Sequence, residues 1–501
     1  MVIFEIKTNP MSEAIAALQP QEVWKHFTRL NAVPRPSKKE ERVIAFMEAY
    51  GQSLGLETRR DAVGNVLIRK PASPGMETRK KVVLQAHLDM VHQKNRDTQF
   101  DFDAEGIRMY RDGDWVKAEG TTLGADNGLG VAAIMGVLAS GTIAHPSLEA
   151  LFTIDEETGM TGAKGLSPDW LQGSILLNLD TEEDDEVDVG CAGGVDVTAS
   201  GTYTPVPQPG KSNGLLVVVK GLMGGHSGMD IHKGLGNSNV LLTRLLLACR
   251  EATPFSLAEF EGGTLRNAIP REAHAILVAT PEKAAVLKDA FDQEKKAILQ
   301  EYGGKEPTLE LEITLCDTPE TAMSPADTTN LLHCLYSLHN GVFAMSSEFP
   351  GLVETSNNIA KVEVGEGRIH VGCLTRSSRE TAKTDLVRKL RAACALAGYE
   401  VTTSGEYPGW LPDKDSQILS LIQSRYEALF GASPRIIAGH GGLECGILKD
   451  HYPHMDMISF GPTILGAHSP DERASIPSVA KFWELLQDVL AHIPEKEHKD
   501  I

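Results

Sequence analysis

The sequence has no Cys-x-x-Cys pair, no apolar run approaching the roughly 20 residues that span a bilayer, and no excess of basic charge. Each absence excludes something. The seven cysteines (Cys191, Cys249, Cys316, Cys334, Cys373, Cys394, Cys445) lie far apart, and an odd, scattered set in a large chain reads as reduced structural thiols, hence a cytoplasmic protein. With 48 Lys and Arg against 68 Asp and Glu, the net charge of −20 repels phosphate, so neither nucleic acid nor an anionic membrane surface is an expected partner. The N-terminus shows no signal-peptide apolar region, and residues 1–10, ahead of Met11, are expected to be an unstructured extension. Gly124–Gly130 is followed by no Gly-Lys-Ser/Thr and contains no Gly-x-Gly-x-x-Gly, which argues against a phosphate loop. Gly225-His226-Ser227-Gly228 is not the Gly-x-Ser-x-Gly elbow of a serine hydrolase.

What is present is an ordinary globular composition, 42% hydrophobic and 23% charged, over 501 residues, enough for two or three domains. The first third alternates strand and helix. Lys81–Ala86, Leu148–Ile154 and Ser174–Leu179 are short apolar runs of the buried, parallel-strand type, and Gly128–Ala139 repeats small and apolar residues at helical spacing. An α/β layer with a mostly parallel sheet is expected there. From about Asn213 the pattern becomes α+β and suggests two similar halves, each mixing strands with helices such as Asn237–Ala248 and Thr381–Ala397. After Trp410 the α/β style returns with a helix (Ser416–Phe430), a strand (Met455–Phe460) and a closing helix (Val479–His492).

Acids and imidazoles fall just after the predicted strands. His87 and Asp89 follow the first, Glu156 and Glu157 the second, and Asp180 the third. His468 follows the late strand, and Asp126 opens the small-residue helix. In an open parallel sheet the carboxyl ends of the strands share one rim, where ligands bind, so these residues can converge. A lone His-x-Asp is more often accidental, and adjacent glutamates usually form a solvated face. Buried together, though, such carboxylates repel and require a cation. Imidazole and carboxylate without thiolate suit catalytic zinc. Five ligands (His87, Asp126, Glu157, Asp180, His468) exceed one tetrahedral ion with an open position. They suit two ions sharing a carboxylate, roughly 3.5–4 Å apart.

Longer words in the sequence carry a resemblance: Gln85–Val91 (QAHLDMV), Gly120–Gly130 (GTTLGADNGLG), Glu156–Gly159 (EETG), Gly221–Gly228 (GLMGGHSG), Gly262–Glu272 (GGTLRNAIPRE), Gly442–Gly446 (GLECG) and Gly461–Glu472 (GPTILGAHSPDE). With these the chain resembles the aminoacyl-histidine (Xaa-His, or cytosol non-specific) dipeptidases, within the aminoacylase/carboxypeptidase-type dizinc peptidases. The similarity runs from about Leu18 to near the C-terminus, departing at His92, where proline is expected, and over 1–10, which has no counterpart.

The resemblance implies a first Zn2+ held by His87, Asp126 and Asp180, and a second by Asp126, Glu157 and His468, with Co2+ or Mn2+ as possible substitutes. It implies Glu156 as general base activating a metal-bridging water, Asp89 orienting His87, and substrate contacts from His226, Asn267 and Arg376. It implies a cis bond at Asp126–Asn127. Dipeptides with a free C-terminus, including β-alanyl-histidine, become the expected substrates, and a homodimer the expected assembly. Because His468 must return to the cluster, the catalytic domain is expected to be discontinuous, 11–187 with 405–501, around a lid over 188–404. Competing readings are an N-deacylase on the same metal centre and a metal-binding regulator on a dead scaffold. Retention of Asp89 and Glu156 speaks against the second.

Overall fold

The computed structural model describes residues 10–496. The expected extension, 1–10, lies outside these residues except for Pro10, with which the first helix, Pro10–Ala16, begins. The chain folds as two compact units. The first runs to Gly190 and resumes over Pro412–Ile437 and from Glu444; the second comprises Cys191–Leu411 and Ala438–Leu443. These boundaries lie a few residues beyond those expected from sequence, and the short return of 438–443 was not anticipated.

The first unit is built on an eight-stranded mixed sheet. Its parallel portion is central: Leu148–Thr153, Val82–His87, Ile175–Asn178 and Asp456–Ser459 run side by side in one direction. Antiparallel strands flank them, Val66–Lys70 with Glu57–Arg60 on one side and Glu186–Cys191 on the other. Val82–His87 is buried at every position, as a strand covered on both faces must be, and this explains its unbroken apolar run. The helix Ala125–Ala139 is buried almost all round, which its composition of Ala, Gly, Val, Leu, Ile and Met permits. Glycine lets it approach its neighbours closely: a Cβ at Gly130 would lie 2.5 Å from the Leu179 carbonyl oxygen.

The second unit carries a nine-stranded antiparallel sheet, and its order resolves the suspected repeat. Asn213–Lys220, Ser256–Gly262, Ala273–Ala279 and Glu310–Cys316, with helices Ser238–Ala252 and Pro281–Tyr302, form one βαββαβ half. Gly193–Thr202, Val353–Gly365, Arg368–Ser377 and Glu400–Tyr407, with helices Pro325–Ser337 and Glu380–Leu396, form the other, in the same spatial order. The first half is inserted into the second after Gly193–Thr202. The halves join where their second strands pair, Phe260 opposite Val364. Glu310–Cys316 closes the first half. Alternate residues such as Val195, Val197, Val217, Val219, Val362 and Val371 face one side and make the core.

Candidate functional site

The parallel register fixes the rim. His87 lies opposite Thr153, so the turn after Leu148–Thr153 emerges beside it and delivers Glu156 and Glu157. Asp180 follows Ile175–Asn178 by two residues. Asp126 sits in the first turn of Ala125–Ala139, behind Gly124 at φ 68°, and the Asp126–Asn127 peptide bond is cis. His468, at φ 64°, is presented by the turn between Ile464–Leu465 and Arg473–Ser475.

All seven rim residues expected from the sequence come together in the first unit. His87 Nε2 lies 3.1 Å from Asp126 Oδ1, 3.5 Å from Asp180 Oδ1 and 4.0 Å from Glu156 Oε2. His468 Nε2 lies 3.1 Å from Asp126 Oδ2 and 3.0 Å from Glu157 Oε2. The two oxygens of Asp126 therefore face two different groups, His87 with Asp180 and His468 with Glu157. Within each group the potential ligand atoms lie within 4.8 Å of one another.

Asp89, fully buried, ties the cluster together. Its Oδ1 lies 3.4 Å from His87 Nδ1 and accepts the Glu156 backbone N–H at 3.0 Å, while Oδ2 accepts from the Ser37 hydroxyl at 2.8 Å. Burial opposes charge on His87, but Asp180, Asp126 and Asp89 hold its imidazolium well above the usual range. Burial likewise pushes the Glu156 carboxyl well up, against the pull of His87. Glu157 Oε1 is buried with no hydrogen-bond partner. Crowded acids, two imidazoles aimed at them and an orphaned carboxylate oxygen fit a pair of divalent cations.

His226, Asn267 and Arg376 lie in the second unit. His226 pairs with Ala268 across a two-residue ladder, and the Asn267 carbonyl accepts the Ser227 N–H at 2.7 Å. His226 Nδ1 accepts from the backbone N–H groups of Gly228 (3.2 Å) and Met229 (3.0 Å), which leaves the proton on Nε2. Burial, and then the charge of Arg376, push His226 below its ordinary value, so its neutral form donates from Nε2. Arg376 is buried, donates to the Tyr407 hydroxyl at 2.8 Å and keeps Nε without a partner.

Sequence reading missed Ser37, Tyr407, His440 and Glu444. The His440 ring meets the Ser356 hydroxyl at 2.8 Å. Glu444, from the GLECG word, accepts from Gln85 (2.7 Å) and Thr153 (2.6 Å) beneath the rim. Apart from the GLECG word around Glu444, these positions rest on contacts with distant segments, for which no local pattern exists.

Residues 83–492 match peptidase family M20/M25/M40, and the chain belongs to that family. It is 44% identical over 486 residues to the cytosol non-specific dipeptidase of Escherichia coli (strain K12), covering 97% of this chain and 100% of that protein. It superposes on the crystal structure of an aminoacylhistidine dipeptidase from Vibrio alginolyticus with a TM-score of 0.91 at 44% identity, covering 96% of this chain and 99% of the other. An aminopeptidase from Bacillus cereus, 14% identical with a TM-score of 0.55, shares the fold.

Proposed function

We propose that the protein is a two-metal dipeptidase that hydrolyses dipeptides with a free C-terminus, Xaa-His dipeptides such as β-alanyl-histidine among them. The observation that carries this reading is Asp126, whose two oxygens each face a separate set of one imidazole and one further carboxylate. His87, Asp126 and Asp180 would hold one Zn2+, and Asp126, Glu157 and His468 the other, with Co2+ or Mn2+ as substitutes. Metal at this position lowers the pKa of water and polarises a carbonyl. The names of the two relatives at 44% identity support the substrate class.

Glu156 takes the proton of the attacking water and returns it to the leaving amine. Asp89 fixes the His87 tautomer through Nδ1. The first unit is the catalytic domain and the second the lid, which contributes the substrate-binding groups. His226 Nε2–H suits a developing oxyanion, and Arg376 suits the substrate carboxylate through its planar fork. Asn267 adds a further polar contact. A cytoplasmic homodimer is the expected state; the cysteine usage supports the compartment, and no described helix is long and apolar enough to cross a membrane.

Metal-free protein reconstituted with Zn2+, Co2+ or Mn2+ and assayed on a dipeptide panel beside N-acetyl-amino acids tests the reading. Turnover of β-alanyl-histidine and other dipeptides is expected. Turnover confined to the N-acetyl compounds would make it a deacylase.

A further inference from the structure

The residue whose placement decides the proposed centre is Asp126, since it alone faces both ligand sets. Its side chain can bridge only if its backbone is held still. Two fully buried charges of opposite sign, Arg35 outside every word quoted above and Glu472 the last residue of GPTILGAHSPDE, are given no part in the chemistry above and grip that backbone from both sides.

Glu472, 2% exposed, spreads its carboxylate across four successive N–H groups. Oε2 accepts from Leu123 (2.6 Å) and Gly124 (2.9 Å), and Oε1 from Ala125 (2.8 Å) and Asp126 (3.3 Å). Arg35, 1% exposed, takes the carbonyl side. Its Nη2 donates to the Gly124 carbonyl at 2.5 Å and to Asn31 Oδ1 at 3.0 Å, and its Nη1 donates to the carbonyls of Leu88 and Asp89, each at 3.0 Å. Asn31 in turn donates to the Leu123 carbonyl at 2.9 Å. Arg35 thus ties the segment bearing Asp126 to the segment bearing His87 and Asp89.

The glycines of GADNG make room for this arrangement. A Cβ at Gly124 or at Gly128 would lie 2.6 Å from Arg35 Nη2. An ion buried so completely is strongly destabilising unless its hydrogen bonds are made. Glu472 makes its four hydrogen bonds, and Arg35 three of its four, to the main chain of the turns that bear the proposed ligands, while Arg35 Nε is left without a partner, a costly arrangement for a loop that needed only to be ordered.

We infer that Arg35 and Glu472 are positioning residues that set the Asp126 backbone and thereby the affinity for both metal ions. This rests on the two-metal reading. Arg35 and Glu472 touch no reacting group; they act through Asp126, His87 and Asp89.

The test uses the full chain, stripped with chelator, as wild type, Glu472→Gln and Arg35→Lys. The first variant keeps shape but swaps an acceptor oxygen for an amide that opposes the N–H groups; the second keeps charge but loses the fork. Zn2+ affinity is read by competition with a chromogenic chelator, ligand geometry by the visible bands of the Co2+-loaded protein, and folding of the metal-free protein by circular dichroism. The expected result is a folded variant with two Zn2+ sites at least tenfold weaker than wild type and altered Co2+ bands. Should Glu472→Gln fail to fold, Arg35→Lys alone decides the matter by the same readouts; failure of both to fold, making them general scaffold residues, overturns the inference. Wild-type affinity within twofold and unchanged bands in folded variants also overturn it, with the two-metal reading intact. A wild type that binds fewer than two Zn2+ would overturn that reading itself.

Discussion

Glu156 and Glu157 are adjacent in sequence and opposite in circumstance. Glu157 meets His468 Nε2 at 3.0 Å and leaves its other oxygen unpartnered, as a ligand would, whereas Glu156 approaches His87 only to 4.0 Å. Glu156→Gln is therefore expected to abolish turnover, by at least about 100-fold for loss of a general base, while metal content stays near wild type. Glu157→Gln is expected to lower metal occupancy together with rate. Elemental analysis of the two purified variants distinguishes them, and equal depletion would reverse the assignment. At His440, burial first and then the charges of Arg376, His226 and His232 push the imidazole down to about 3, against a hydrogen bond to the Val353 backbone. Above the ordinary value of 6.5 both folded and unfolded chains carry it neutral, and its full stabilisation is present. As pH falls below 6.5 the unfolded chain binds a proton that the folded chain refuses. Stability then declines by up to about 1.4 kcal/mol per pH unit until about pH 3. His440→Gln should flatten urea-unfolding midpoints between pH 6.5 and 4 relative to wild type; parallel slopes would contradict this.

The helix Ala125–Ala139 owes its seat to Gly130. A Cβ there meets Asn127 Oδ1 at 2.3 Å and the Leu179 carbonyl at 2.5 Å, one residue before Asp180. Gly130→Ala should separate the helix from the end of Ile175–Asn178, lower stability by about 1–3 kcal/mol and weaken metal binding. Calorimetry with metal analysis checks both, and an unchanged melting temperature would show that the contact relaxes freely. Strands buried on both faces were legible in the sequence because burial removes polar residues from every position: Val82–His87 differs from the expected 81–86 by one residue. Glu400–Tyr407 was not legible, because it is an edge strand with five consecutive exposed residues and no apolar alternation. The rim residues could be found because strand ends are punctuated by acids and His. Arg35 stands in none of the words that carry the resemblance, and Glu472 closes GPTILGAHSPDE without any sign of its role, since each bonds mainly to the main chain of segments far away and a backbone partner leaves no mark on composition.

In the molecule as a whole, the second unit repeats a βαββαβ half, with His226 in the first half and Arg376 in the second. One chain therefore carries both proposed substrate contacts, and the charge of Arg376 reaches His226 within the unit. Mixing Glu156→Ala with His226→Ala chains under subunit exchange separates the two arrangements: no regained activity means that His226 serves its own chain, and regained activity that it serves a partner chain. The central claim is that two cations share Asp126 and that both are needed for hydrolysis of a dipeptide. Titrating the chelator-stripped protein with Zn2+ while following β-alanyl-histidine turnover tests it most directly. The account predicts no turnover without metal and a plateau reached only at two equivalents per chain. A plateau at one equivalent, or turnover by the stripped protein, would contradict it.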